Sequence, residues 1–545
     1  MDNPQNADTV RDMKAPVILF GGQSLSSYAF KPLIEERSAL SLAVERSRSF
    51  PYATEVYLFI QDDVDEDLLP PDCRIIRKKQ WSLADLLDSL ADVSRNQDLV
   101  YFAWADCPLL DPDLTRSMVE RHIRWASEYT FADGWPYGFS PEILAPTTAA
   151  ILSSMYKKSM DPKGGALSDH IPSTKNKIAA VSRDVLFQVL QKDINSFDIE
   201  TEIAPVDLRP YRLTLAADSK RNHLLLKRLI DAGLDKAEKA PEILQNHPEL
   251  LRTLPAFYQI QVSRPCPQLC SFCPYPQFGN PNLPASNPDD FMPQESFVHL
   301  LDKIVEFSGD AVLDISLWGE AALHPNIREL IFAVLERPEL ALIIETSGLG
   351  WTASQVASLA AAVQAAPDPL RGPNKLPPLS WIVSLDARNV ERYKEIRGAG
   401  YDEANLFAET LLDQFPGATY VQALRMKGAE DDMEQFYRYW KAKGAEVIIQ
   451  KYDYFAGFLP QRRAGDISPL VRQPCWHLQR DMAVLLDGTV RLCKEDLQGI
   501  HVLGNVFSDS LDTIWQNAQE RYLEQCRQEY TAMCRDCDEY YTYNF

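Results

Sequence analysis

The sequence predicts an α/β protein with two parallel-sheet regions, followed by a small cysteine-rich region. Apolar strand-like runs alternate with helix-period segments in the first third of the chain, and the alternation resumes from Phe257 to about residue 450. Beyond that point, turn signals and spaced cysteines replace it. Strands that alternate with helices form parallel sheets covered by helices, and this predicts the fold class.

Size and composition limit the possible functions. A chain of 545 residues that is 46% apolar is long enough for roughly two to four domains. The formal charge of −22 argues against nucleic acid as a partner, because phosphate binding requires basic patches. No apolar run reaches membrane-spanning length, and residues 1–13 lack an apolar signal core. We therefore expect a cytoplasmic protein without a membrane partner. In that reducing compartment, the ten cysteines are expected to serve as metal ligands in preference to forming disulfides.

In the first region, a buried strand at 16–20 runs into Gly21 and Gly22, with Lys31 ten residues further on. Strand-like runs at 55–60 and 98–103 and helix-period segments at 39–48 and 83–93 follow, and Asp106 lies just after the third strand. A glycine turn with a lysine suits phosphate, and a carboxylate at a strand end suits a divalent cation such as Mg²⁺. Each motif is also common as a plain turn or helix start.

In their order, these motifs resemble the cytidylyltransferase-like sugar-nucleotide family of the spore-coat polysaccharide type. The matching segments are 105–112 (A-D-C-P-L-L-D-P), 129–139 and 212–215. The resemblance implies a Rossmann-like nucleotidyltransferase domain (glycosyltransferase-A-like) over residues 14–235, with possible nucleotide binding at Gly21, Gly22, Lys31 and Asp106, and Mg²⁺ as a possible ion.

The chain departs from this family in two places. Residues 23–30 contain no basic residue where the family has an arginine for the triphosphate, and Ala216 replaces a late strand-end aspartate, with Asp218 two residues further on. We therefore expect a degenerate domain that binds a nucleotide-sugar, a glycan or a partner. Residues 236–254 are charged and proline-punctuated, which is typical of a linker.

The central region, 255–455, repeats the strand–helix unit and predicts a partial (β/α)6 barrel whose site lies at the carboxyl ends of its strands. We predict strands at 257–263, 311–317, 341–345, 381–385, 418–424 and 447–450, and helices at 294–307, 327–335, 351–365 and 431–442.

Three cysteines, Cys266, Cys270 and Cys273, follow the first of these strands at C-x3-C-x2-C spacing, and the next cysteine is Cys475. Three thiolates can hold three irons of a [4Fe-4S] cube and leave the fourth iron open. An open position is typical of catalytic metal sites. A structural zinc site or chance remains the alternative, although zinc pairs usually read C-x2-C with a second pair downstream.

Polar residues follow the next three strands at equivalent places. They are Trp318-Gly319-Glu320, Thr346-Ser347-Gly348, and Ser384 with Asp386. Glycine allows a ligand close to the backbone, and a carboxylate beside it can take an ammonium group.

Together with the cysteines, this pattern resembles the radical S-adenosylmethionine (SAM) family. Phe272 is the aromatic residue before the third cysteine, and Trp318-Gly319-Glu320 matches the G-G-E motif with Trp for the first Gly. The resemblance implies that Cys266, Cys270 and Cys273 hold the catalytic cluster. It also implies SAM contacts at Phe272, Trp318, Gly319, Glu320, Ser384 and Asp386.

The last region, 456–545, contains Cys475, Cys493, Cys534 and Cys537, a closed set of four ligands that zinc would satisfy on chemical grounds. The segment 475–537 resembles the SPASM domain of radical SAM enzymes, which implies one auxiliary [4Fe-4S] cluster on these four cysteines. We interpret Cys526, Cys73 and Cys107 as structural. The complete arrangement resembles the spiro-SPASM family.

The resemblance implies a radical SAM enzyme that cleaves SAM to a 5′-deoxyadenosyl radical, which then takes hydrogen from a sugar or glycoconjugate. A reductase, flavodoxin or ferredoxin would donate the electron. The alternatives are a peptide- or protein-modifying maturase, a bifunctional enzyme that also transfers nucleotides, and an iron–sulfur sensor or scaffold that binds SAM without cleaving it.

Overall fold

A computed structural model describes residues 13–22, 25–159, 181–278, 287–366, 370–372 and 375–542. Two residues of the basic-free segment 23–30, Gln23 and Ser24, lie outside this part. The chain divides into two compact units, Met1–Leu250 and Leu251–Phe545, each with a largely parallel sheet. The prediction of an α/β protein with parallel-sheet regions is confirmed at this level.

The first unit contains a seven-stranded sheet and a small two-stranded sheet. Its strands are β1 (Ala15–Phe20), β2 (Pro32–Ile34), β3 (Arg37–Ser38), β4 (Ala53–Gln61), β5 (Arg74–Lys78), β6 (Val100–Trp104), β7 (Tyr129–Asp133), β8 (Glu142–Leu144) and β9 (Ile199–Ile203). The large sheet has the order β5-β4-β1-β6-β8-β7-β9, and β8 runs antiparallel to both of its neighbours. Every residue of β1 and β6 is buried, as expected for central strands covered on both faces.

The helices of the first unit are α1 (Ala39–Ser47), α2 (Leu83–Ser94), α3 (Pro112–Trp125), α4 (Pro146–Ser159), α5 (Val185–Leu190), α6 (Lys220–Asp231) and α7 (Ala240–Asn246). Helix α2 begins at a capping box in which Ser82 and Asp85 satisfy each other's backbone N–H groups. Helix α3 begins at Asp111, whose carboxylate accepts from two amides of the first turn.

The second unit contains one nine-stranded sheet. Its strands are β10 (Phe257–Ile260), β11 (Ala311–Asp314), β12 (Leu340–Thr346), β13 (Leu379–Ser384), β14 (Thr419–Arg425), β15 (Glu446–Lys451), β16 (Asp481–Val484), β17 (Thr489–Arg491) and β18 (Val502–Asn505). Strands β10 to β15 lie side by side in chain order and are all parallel. Strand β16 extends this sheet beside β10, again in parallel, and β17 and β18 continue it as antiparallel strands.

The helices of the second unit are α8 (Tyr275–Phe278), α9 (Gln294–Ser308), α10 (Ile327–Leu335), α11 (Ala353–Ala365), α12 (Val390–Ile396), α13 (Tyr401–Gln414), α14 (Glu430–Ala442), α15 (Trp476–Arg480), α16 (Leu511–Asn517), α17 (Gln519–Cys526) and α18 (Ala532–Asp536). One face of the sheet packs against these helices in a large apolar core that includes Leu313, Ile344 and Val383. The opposite face is apolar near the start of the strands, where Phe257, Val312 and Ile343 pack together.

Arg252 fixes the carboxyl-terminal region to the rest of the second unit. This 2% exposed side chain donates to the carbonyls of Leu478 and Trp515 at 2.8 and 2.9 Å, and its guanidinium lies 3.5 Å from the centre of the Trp515 ring. The Trp515 indole in turn donates to the carbonyl of Thr253. The cysteine-rich region and the parallel strands β10 to β15 are therefore parts of one packed body.

Within the described residues, no helix combines the length and the apolar character that crossing a membrane requires.

Candidate cluster and cofactor sites

The three cysteines of the first motif lie in the loop between β10 and α8. Burial raises the pKa of Cys266 and Cys273 to about 12 and also raises that of Cys270, and the charge of Cys270 raises the pKa of the other two thiols further. Backbone bonds hold the loop against the end of α12, since Ser271 N donates to Ile396 O at 2.8 Å. Three half-buried cysteines on one short, anchored loop are a donor set that suits a metal cluster.

A buried arginine that sequence reasoning missed fixes this loop. Arg397, 5% exposed, donates through Nε to Gln268 at 2.7 Å and pairs with the carboxylate of Asp386. The Cys270 thiol donates to the same Gln268 oxygen at 3.6 Å. Arg397 therefore connects the predicted site residue Asp386 to Cys270 and lowers the pKa that burial raises in that thiol.

Asp386 itself adopts a left-handed backbone, with φ of 63°. Its other oxygen accepts from Leu424 N at 2.8 Å, so both carboxylate oxygens have partners inside the protein. Aspartate tolerates this backbone region better than most non-glycine residues. Phe272 lies near the same group, with its ring centre 5.6 Å from the Arg397 guanidinium.

Glu320 is enclosed by the loop that follows β12. One of its oxygens accepts from Thr346 Oγ1 at 2.7 Å, and the other accepts from the hydroxyl and amide of Ser347 at 2.6 and 2.8 Å. Its own amide donates to the carbonyl of Pro265, next to the first cysteine. Glu320 thus fastens three strand-end loops together, and the structure supports a positioning role for it.

Gly319 has a φ of 79°, and a Cβ at this position would collide with the carbonyl oxygen of Ser263. Glycine is therefore required here by close backbone packing as well as by its conformation. The neighbouring Trp318 is 9% exposed and stacks on Tyr275, with ring centres 5.8 Å apart. It also contacts Phe455 at a centre distance of 5.8 Å. These rings form an apolar wall beside Cys273.

Ser384 belongs to a different group of contacts, on the sheet face opposite the helices. Its hydroxyl donates to Glu345 Oε1 at 2.8 Å, and Gln422 donates to the same oxygen at 2.7 Å. Asp314, on the adjacent strand, has a pKa raised to about 7 by burial and by the charge of Glu345. A polar layer with two carboxylates therefore lies above the apolar layer of this face.

One cavity is lined by the four cysteines of the last region, Cys475, Cys493, Cys534 and Cys537. Burial raises the pKa of each of the four thiols. Arg472 lines the same cavity and donates to the carbonyl of Cys534 at 2.6 Å. Four thiols that line one cavity are the donor set of a four-iron cluster, and zinc takes the same type of donor.

Cys526 is not among the residues that line this cavity, although it packs against the same apolar cluster as Cys475, which contains Leu478 and Tyr522. Charged residues tie the cysteine-rich region to the end of β15, where Lys451 pairs with Asp538 at 3.0 Å and also with Glu539. Lys494, next to Cys493, pairs with Asp453 at 2.6 Å.

In the first unit, Gly21 and Gly22 follow β1, Asp106 follows β6, and Lys31 directly precedes β2. Gly22 has a φ of 70° and packs against Trp104, where a Cβ would be 2.9 Å from the ring. The Lys31 ammonium lies 3.8 Å from the centre of the Tyr28 ring. Asp106, 4% exposed, pairs with Arg183 at 2.7 Å.

Comparison with known proteins gives a domain match and several similar chains. Residues 475–538 match SPASM, an iron–sulfur cluster-binding domain. An uncharacterized protein of Treponema pallidum (strain Nichols) is 38% identical over 368 residues, which cover 66% of this chain and 98% of that protein.

Two solved structures are similar at low identity. SuiB of Streptococcus suis is 13% identical, with a TM-score of 0.40, over 76% of this chain and 92% of SuiB. A cytidylyltransferase of Leptospira borgpetersenii is 15% identical, with a TM-score of 0.35, over 44% of this chain and 96% of that enzyme. The degree of identity and the coverage of the Treponema protein show that the chain belongs to the same family as that protein.

Proposed function

We propose that the chain is a radical SAM enzyme with one catalytic and one auxiliary [4Fe-4S] cluster. The observation that carries the proposal is the pair of thiol sets within one packed sheet: three thiols on the loop after β10, and four around one cavity beside β16. The first set leaves one iron of a cube without a protein ligand, and the second set does not. The SPASM match supports the second cluster.

Cys266, Cys270 and Cys273 would hold the catalytic cluster, and SAM would bind at its open iron, near Phe272, Trp318, Gly319 and Glu320. When bound, the cluster and SAM supply the electron transfer and the radical chemistry that removes a hydrogen atom from the substrate. The chain itself orients these groups: Arg397 and Gln268 hold the cysteine loop, and Glu320 fastens the loops around it. The aromatic wall of Trp318, Tyr275 and Phe455 would exclude water.

The auxiliary cluster would be held by Cys475, Cys493, Cys534 and Cys537. We assign the catalytic chemistry to residues 255–455 and the auxiliary cluster to residues 456–545. Residues 14–235 would form the cytidylyltransferase-like domain, and residues 236–254 would join it to the rest. A reductase, flavodoxin or ferredoxin in the cytoplasm would supply the electron.

We infer that the substrate is a sugar or glycoconjugate. The polar layer of Asp314, Glu345, Ser384 and Gln422 supports this inference, because carboxylates and amides on one sheet face can hydrogen-bond several hydroxyl groups. The resemblance of the first unit to sugar-nucleotide enzymes points the same way. A peptide substrate is the alternative, and labelled substrates separate the two. Deuterium that enters 5′-deoxyadenosine from labelled sugars and not from labelled peptides supports the inference, and the reverse overturns it.

The chemistry is tested by anaerobic reconstitution. Two clusters require about eight irons per chain, and dithionite with SAM should then yield 5′-deoxyadenosine. Cys270→Ala should abolish this product, whereas the matched control Cys73→Ala, in the first unit, should leave it unchanged. A protein with full iron that forms no 5′-deoxyadenosine would contradict the proposal and favour a sensor or scaffold.

A further inference from the structure

A carboxylate pair at the end of β6 is bridged by an arginine. Arg183 donates through Nη1 to Asp106 Oδ1 at 3.0 Å and through Nη2 to Asp106 Oδ2 at 2.7 Å. The same Nη2 reaches Asp218 Oδ2 at 3.1 Å. The planar guanidinium thus binds one carboxylate with two parallel hydrogen bonds and a second carboxylate at its corner, a geometry that suits arginine and not lysine.

The remaining surroundings also hold this group in place. The guanidinium carbon lies 4.9 Å from the centre of the Trp104 ring and 5.2 Å from that of Tyr137. Asn222 donates to the second oxygen of Asp218 at 2.8 Å. Each of the four oxygens of the two carboxylates therefore accepts a hydrogen bond from a protein donor.

The charge at this position is fixed. Burial alone would lower the pKa of Arg183, but the charge and hydrogen bonds of Asp106 outweigh burial and raise it well above its ordinary value. Arginine does not lose its proton in proteins, so the two carboxylates always face a cation. A divalent ion at this place would have to displace the guanidinium or lie next to it, and both cost electrostatic energy.

We propose that Arg183 takes the place of a divalent cation between Asp106 and Asp218, so that this strand end works without metal. The first unit is then a binding module and not a metal-dependent nucleotidyltransferase. The position of Lys31, the lysine predicted to bind phosphate, agrees with a first unit that transfers no nucleotide, because its ammonium already contacts the Tyr28 ring. The inference does not depend on the radical chemistry proposed for the second unit.

Mn²⁺ binding to the full-length protein, followed by electron paramagnetic resonance of free Mn²⁺, tests the proposal. Wild type and Asp106→Asn should bind the same amount of Mn²⁺, because the exposed acidic surface contributes equally in both. Arg183→Gln should bind about one more Mn²⁺ per chain than wild type, because it frees two carboxylates, which are ligands that such ions prefer. The double variant Arg183→Gln with Asp106→Asn should not bind this additional ion.

A Mn²⁺ site in wild type that Asp106→Asn removes would overturn the proposal, and so would a folded Arg183→Gln variant that gains no site. If Arg183→Gln does not fold, Asp218→Asn replaces it. Mn²⁺ binding equal to wild type then supports the proposal, and the loss of a site contradicts it.

Discussion

Substitution of Glu320 can show whether this residue binds SAM directly or positions the loops around the SAM site. Its carboxylate is 3% exposed and accepts from Thr346 Oγ1, from the Ser347 hydroxyl and amide, and from Ala322 N. Glu320→Gln replaces one of the two accepting oxygens with an NH2 group, which must face at least one of these amides as a second donor.

The expected cost follows from the bonds that are lost. A buried donor left without an acceptor costs about 1–3 kcal/mol, and bonds to a charged acceptor are stronger than neutral ones. We expect the loops at 319–323 and 346–349 to be destabilised by about 2–3 kcal/mol, which corresponds to roughly 30- to 150-fold faster amide exchange. SAM affinity should fall together with this protection.

Hydrogen–deuterium exchange of the reconstituted protein, measured peptide by peptide, gives the protection, and equilibrium dialysis gives SAM binding. The matched control is Glu329→Gln, which removes an exposed charge paired with Arg328 and should change stability by no more than about 0.5 kcal/mol. Lost SAM binding with unchanged exchange in Glu320→Gln would refute the positioning role and assign Glu320 to direct contact with SAM.

Three further predictions concern cysteine ligation, pH and packing. Cys526→Ser should retain all the iron of the wild type, whereas Cys534→Ser should lose about four irons per chain, as iron analysis would reveal. Burial lowers the pKa of His122 to about 4 from an ordinary value of 6.5, so protonation favours the unfolded state. The contribution of His122 to the free energy of unfolding is therefore complete above pH 6.5 and falls by about 2 kcal/mol at pH 5. Denaturant titrations of His122→Gln should lack this fall. Trp318→Ala should lower the free energy of unfolding by about 3–5 kcal/mol, because it removes a buried ring. Trp125 is 61% exposed, so Trp125→Ala should lower it little. A larger loss for Trp125→Ala than for Trp318→Ala would contradict the packing.

Local periodicity predicted the long elements of the second unit well. The helix predicted at 327–335 is α10, Ile327–Leu335, and the one predicted at 294–307 is one residue longer. Their apolar faces repeat at helical spacing, a signal that the sequence contains directly. The strand predicted at 311–317 ends earlier, at Asp314, because Ser316 N bonds to the Asp314 carboxylate and turns the chain.

Val390–Ile396 and Tyr401–Gln414 are among the helices that the sequence analysis did not predict. The first is short and largely polar, so its periodicity is weak, but its start carries a signal that could have been used: Asn389 caps it through Arg392 N. Gly400 marks the start of the second.

Sequence reasoning identified the seven thiols as two candidate sets, and the structure places the second set around one cavity. It did not find the arginines that hold the sites. Arg183 is 77 residues from Asp106, and Arg397 is 129 residues from Gln268. Nothing in local spacing connects such pairs, because the fold alone brings them together. The sequence placed Glu320 and the segment Thr346-Ser347-Gly348 at equivalent strand ends, but it did not reveal that Thr346 and Ser347 donate hydrogen bonds to the Glu320 carboxylate.

We assign a cluster open to SAM to the trio Cys266, Cys270 and Cys273, and a closed cluster to the quartet. Electron paramagnetic resonance of dithionite-reduced Cys534→Ala, which retains the trio, tests this assignment most directly against Cys270→Ala, which retains the quartet. We predict that SAM shifts the cluster signal of Cys534→Ala and leaves that of Cys270→Ala unchanged. A SAM-induced shift in Cys270→Ala, or none in Cys534→Ala, would contradict the assignment.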